Sequence, residues 1–153
     1  MNEQQRYAII VGIDGSPSSQ DALRWAVGQA RRTDGEITAV MVWDTPALYD
    51  WPLQTAEQLD RVTDETLRKV VRESVDEDDL ARIHTQVARG HPAKALLRAA
   101  ESADLLVVGR RGQGGFSPAL LGSISQYCVS HAPCPVVVVR DQRPRSRDGS
   151  QGG

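Results

Sequence analysis

The chain has 153 residues, with 18 basic and 20 acidic side chains, 40% hydrophobic and 25% charged residues, the proportions of one ordinary globular domain with enough chain to bury a sizeable core. A formal net charge of −2 supplies no broad positive field for nucleic acid or an acidic membrane, so an anion would have to be held locally. Its apolar runs are short and its first residues lead into no signal-peptide pattern, so no membrane association is expected and the chain is read as cytoplasmic.

Taken in order, Tyr7-Ala8-Ile9-Ile10-Val11 is a continuous apolar run closed by Gly12, the habit of a strand buried on both faces. Ser16 and Pro17 supply an N-cap and a first helical residue, Ala22, Ala26 and Ala30 repeat at helical spacing, and Asp34-Gly35 ends the helix. Ile37 to Trp43 is the second strand, followed by an irregular segment from Asp44 to Pro52. Leu59, Val62, Leu67, Val70 and Val71 define the apolar face of a charged helix from Thr55 to about Val75. Asp76 to Asp79 reads as a solvated acidic turn. Ile83 to Ala88 alternates as a partly exposed third strand, suited to a sheet edge, and Gly90 breaks it.

Pro92 opens a helix with Ala93, Leu96, Leu97 and Ala100 on one face, and Leu105 to Val108 is the fourth strand, closed by Gly109. A glycine-rich stretch from Gly109 to Gly122 precedes a helix with Tyr127 and Cys128 on its buried face, and Val136 to Val139 is the fifth strand. The residues from 141 to 153 lack apolar side chains and are expected to form a disordered tail to a domain spanning 1–140. Strands alternating with helices predict an α/β fold, a single parallel sheet with helices on both faces. Such sheets bind ligands at the carboxyl ends of their strands, where the strand order reverses. The exits after the first and fourth strands are the places to look.

Gly109-Arg110-Arg111-Gly112-Gln113-Gly114-Gly115, followed by Gly122-Ser123, has the ingredients of a phosphate cradle. Glycine lets the backbone N–H groups approach an anion, a helix beginning near Gly122 adds its positive end, and the Ser123 and Ser125 hydroxyls can donate. An ordinary flexible connection has the same composition. Ser117-Pro118 is itself a good helix start, so the cradle requires a break before Gly122. The pattern is neither a Walker A loop nor a GxGxxG fingerprint, and Lys69 and Lys94, the only lysines, both lie outside it. Arg110 and Arg111 are placed either to grip phosphate or to point into solvent. Asp14 is either a ligand contact or a turn aspartate capping the next helix. His84, His91 and His131 are scattered and pair with no nucleophile by motif, Trp25, Trp43 and Trp51 read as packing, and Cys128 and Cys134 read as reduced structural thiols.

Gly109, two residues, Gly112, nine residues, Gly122-Ser123 is the G-x2-G-x9-G-[S/T] spacing by which this chain resembles the ATP-binding branch of the universal stress protein family. The resemblance runs from Tyr7 to Arg140 and includes Ile9 to Ser16, Gly90-His91-Pro92-Ala93 and His131 to Val139. It implies a five-stranded, Rossmann-like parallel sheet of order 3-2-1-4-5 with ATP between strands 1 and 4. Gly12 and Asp14 would lie beside the nucleoside, and Val42 would contact adenine through its backbone. Gly109 to Gly115 would wrap ribose and phosphates, and Gly122, Ser123, Ile124 and Ser125 would meet the outer phosphates. Magnesium or manganese would bind through the phosphates, and Val136, Val137, Val138 and Val139 would pair with a second subunit as a homodimer. The expected role is a nucleotide-dependent regulator in stress adaptation. A slow ATPase or a phosphoryl- or nucleotidyl-transfer enzyme is less favoured, because only Arg110, Arg111 and an unassigned His or Asp could supply the positioned base and cationic stabiliser; a nucleotide-free interaction module is the other alternative.

Overall fold

In the computed structural model, which describes residues 5–44, 55–111 and 121–140, the apolar runs form five parallel strands: β1 (Ala8–Gly12), β2 (Glu36–Trp43), β3 (Ile83–Arg89), β4 (Leu105–Gly109) and β5 (Val136–Val139). Their order is β3-β2-β1-β4-β5, as expected, with β3 at one edge. Residues 112–120 and 141–153, and most of the irregular segment after Asp44, lie outside the described residues.

The crossovers are α1 (Pro17–Thr33), α2 (Ala56–Ser74), α3 (Pro92–Ala99) and α4 (Ser123–His131), with 3₁₀ turns at Glu77–Arg82 and Ala100–Ser102. Side chains alternate across β1, so Ile9 and Val11 pack with Leu23, Ala26 and Leu67 beneath α1 and α2. Ile10 faces the other way and packs with Val40, Leu96, Leu106 and Cys128 beneath α3 and α4. This two-sided burial explains why the central strands read as continuous apolar runs.

Local signals set the helix ends. Ser16 Oγ accepts from the Ser19 N–H, with Pro17 in the first turn of α1. Asp34 adopts φ 54°, and Gly35 N–H donates to Ala30 O to finish that helix. Thr55 and Gln58 form a reciprocal capping box at α2.

Three expectations need correction. The acidic turn is not merely solvated, because Asp79 is buried and its two carboxylate oxygens accept from Arg31 Nε and Nη2 of α1. The apolar face of α2 is buried only at Leu67, Val70 and Val71; Val62 is 45% exposed. The indole of Trp43, the last residue of β2, meets Asp60, so the opening turns of α2 sit at and beyond the strand end. In α4, Cys128 is buried but Tyr127 is only half-buried, its ring stacked on His131 with centroids 4.3 Å apart.

Candidate functional site

The strand order reverses between β1, whose crossover leads to β2, and β4, which lies on its other side. The two exits diverge there, and a cleft of about 110 Å³ opens between them. Gly12, Ile13 and Asp14 form its β1 side, Val108, Gly109 and Arg111 its β4 side, and Val40 and Val42 its β2 wall. Helices close it with Ser19 of α1, Pro92 and Leu96 of α3, and Ile124 and Ser125 of α4.

The glycines at the two exits serve opposite faces of the sheet. A Cβ on Gly12 would lie 2.8 Å from Leu96 Cδ1 on α3, and one on Gly109 would lie 2.7 Å from the backbone carbonyl of Ser18 on α1. Each glycine therefore lets a helix close onto the sheet at the floor of the cleft. Ser18 adds a hydrogen bond, its Oγ accepting from Arg111 N–H at 3.3 Å.

Asp14 makes the local bonds of a turn aspartate while lining the cleft. Its Oδ1 accepts from Ser16 N–H at 2.9 Å and from Ser16 Oγ at 2.5 Å, while its own N–H donates to Ser19 Oγ at 3.3 Å. Gly15, at φ 84°, makes the turn into α1. A carboxylate here also complements the positive end of α1, and the residue stays exposed at the rim of the cleft.

On the other side, Gly122 meets the condition for a cradle. Its backbone is extended, with φ −68° and ψ 161°, so α4 begins at Ser123, with no side-chain cap among the described residues. The first-turn N–H groups of such a helix have no partner within it. Gly122 N–H donates to Arg110 O at 2.8 Å, and Ser125 Oγ donates to Gly109 O at 2.6 Å, tying α4 to the β4 exit. Ser123 is exposed.

Of the residues singled out from sequence, Gly12, Asp14, Val42, Gly109, Arg111, Ile124 and Ser125 line the cleft. Arg110, Gly122 and Ser123 adjoin it, Arg110 through backbone bonds to Val139 and Gly122. Gly112, Gln113, Gly114 and Gly115 lie outside the described residues. Sequence reasoning missed Ile13, Ser19, Val40, Pro92, Leu96 and Val108 as lining residues; only Pro92 carried a signal, as a helix start after a strand exit. Among the described residues no group of three or more His, Cys, Asp or Glu is placed to hold a metal ion. Both cysteines are free, and burial pushes the Cys128 thiol up to about 11. Burial, and then the negative charge of Asp104, raise that of Cys134. Both thiols are thereby biased away from the nucleophilic thiolate.

A doubly wound sheet of this order, with a cleft at its reversal point, has clear relatives. The chain belongs to the universal stress protein family, whose model matches residues 7–140. It is 35% identical over 140 residues to universal stress protein MJ0531 of Methanocaldococcus jannaschii, covering 86% of this chain and 81% of that one. It is 34% identical over 150 residues to a universal stress protein of Mycolicibacterium smegmatis, covering 93% of this chain and 51% of that one. The chain thus spans about half the length of several curated relatives it matches. Among solved structures, UspA of Lactobacillus plantarum aligns with a TM-score of 0.64 and 28% identity, over 90% of this chain and all of that one. A universal stress protein in complex with cAMP (TM-score 0.63, 21% identity, covering 91% and 100%) shares the fold. So does an Arabidopsis thaliana family protein with AMP bound (TM-score 0.57, 18% identity, covering 92% and 97%). Among the described residues, no helix is long and apolar enough to cross a membrane.

Proposed function

We propose that the chain binds ATP in the cleft between the β1 and β4 exits and acts in the cytoplasm as a nucleotide-dependent regulator in stress adaptation. The observation that carries this reading is the pairing of two features at the sheet's reversal point. Gly12 and Gly109 have Cβ positions already filled by neighbouring helices, and α4 starts at Ser123 behind an extended Gly122, which has no side chain to cap it. A close-packed floor beside a helix start suits a planar base joined to an anion. The apolar wall of Val40, Val42 and Leu96 would take adenine, with Asp14 near the ribose. Gly109 to Gly115, Gly122, Ser123, Ile124 and Ser125 would surround the phosphates, with Arg110 and Arg111 supplying positive charge. Magnesium or manganese would be carried in with the phosphates and would neutralise part of their charge. The relatives solved with cAMP and with AMP support a nucleotide as the ligand class.

The same reading includes a homodimer. β5 ends the strand order, and its free edge would pair with the β5 of a second copy. Mass analysis of nucleotide released from gently denatured, purified protein tests the ligand. ATP is the expected species, and protein that neither carries nor takes up any nucleotide would reject the reading.

A further inference from the structure

Trp43 ends β2 next to Val42, which lines the cleft, and neighbouring elements meet on it. Its indole Nε1–H donates to Asp60 Oδ1 of α2 at 2.7 Å, and the guanidinium of Arg89, on β3, lies 5.1 Å from the ring centroid. Its backbone carbonyl accepts from Gly90 N–H at 2.9 Å. Gly90 has φ 117°, a conformation that side chains rarely adopt, and this turn delivers His91 and Pro92, the start of α3. Val42 and Pro92 both line the cleft. One residue therefore sets the β2 wall through its strand and the α3 wall through the Gly90 turn. The bond to Asp60 is charge-assisted and the Arg89 contact is a cation–π pair, both directional.

We infer that Trp43, held by Asp60 and Arg89, is a positioning residue for the base end of the ligand site. It fixes the spacing of Val42 and Pro92, and hence affinity for the nucleoside moiety and not for the phosphates. The inference rests on the nucleotide-binding reading above. Asp60 is exposed, so removing its carboxylate opens no core.

The test is calorimetric titration of the full chain with adenosine and, separately, with ATP, for wild type, Asp60→Leu and Asp60→Asn. Asp60→Leu is expected to weaken both ligands by the same factor, on the order of tenfold. It should also shift the part of the tryptophan emission that Trp43→Phe removes. Asp60→Asn keeps an acceptor oxygen for the indole and should restore most of the affinity and the emission. Unchanged affinities in Asp60→Leu would overturn the inference while leaving nucleotide binding intact, as would a loss confined to ATP. A wild-type chain that binds neither ligand would instead overturn the nucleotide reading itself. Should Asp60→Leu lose its fold by circular dichroism, Arg89→Gln gives the same two-ligand comparison from an exposed position.

Discussion

The hydroxyl of Ser125 donates to the carbonyl of Gly109 across 2.6 Å, with Ser125 itself 4% exposed. This bond fastens the first turn of α4 to the end of β4, so the helix start and the strand exit move as one unit. Ser125→Ala leaves that carbonyl without its side-chain donor and should cost about 1 kcal/mol of stability. Urea denaturation checks this. ATP affinity should fall as well, because the α4 start loses its anchor.

Ser123 is the contrasting case. It is exposed at the first position of α4, so Ser123→Ala should leave the denaturation midpoint unchanged. If its hydroxyl donates to a charged phosphate, ATP binding should weaken by about 1 kcal/mol or somewhat more. Adenosine binding, measured in parallel, should not change.

The two exit glycines should respond unequally to the same substitution. A Cβ on Gly109 meets the Ser18 backbone at 2.7 Å, which cannot yield without moving α1, whereas one on Gly12 meets the far end of the Leu96 side chain at 2.8 Å. Gly109→Ala is expected to destabilise by about 2–3 kcal/mol and Gly12→Ala by about 1 kcal/mol. Thermal unfolding of both variants gives the ranking, and equal losses would contradict it.

Burial raises the Cys128 thiol from 9.0 to about 11, which has a pH consequence. The folded chain holds this proton more tightly than the unfolded chain, so the stabilisation is fully present below pH 9. It is lost as the pH rises toward 11, by about 3 kcal/mol in all. Cys128→Ala should flatten that part of the stability profile. Reaction of wild type with a thiol reagent at neutral pH should be slow at this site until the chain unfolds.

The dimer edge can be tested at a backbone donor, at Val138, whose side chain packs only in part against the cluster beneath α3 and α4. Val139 is buried and Val137 packs on the cluster beneath α1 and α2, so charged substitutions there would damage the fold. The carbonyls of Pro135 and Val139 accept from Leu106 of β4 and from Arg110, the residue after it. By the alternation of a strand, Val138 turns its N–H to the open edge. Val138→Pro removes that donor, which an edge strand tolerates. Light scattering should report a dimer for wild type and a monomer for the variant.

The central strands β1 and β4 were legible in the sequence because each is a continuous apolar run closed by glycine and buried on both faces, whereas β3 showed in its alternation as a partly exposed edge strand. Ser16-Pro17 marked a helix start through a bond spanning three residues. What stayed hidden depends on partners distant in the chain. Asp79 looked like part of a solvated charge run because Arg31 lies 48 residues away. Ser18 gave no sign that Gly109 would press against its backbone, and Leu96 read as core without its place under Gly12. Gly12 and Gly109 were read as lying at the strand exits that the cleft joins, but its floor is assembled by tertiary packing.

The most direct test of ATP binding at the α4 start is a calorimetric titration of ATP into wild type and Gly122→Glu. The backbone φ of −68° at Gly122 suits any residue, so the variant should keep its circular dichroism spectrum while its carboxylate occupies the phosphate position. Saturable binding by wild type that vanishes in Gly122→Glu is the predicted result. Equal ATP affinity in the two proteins would contradict it.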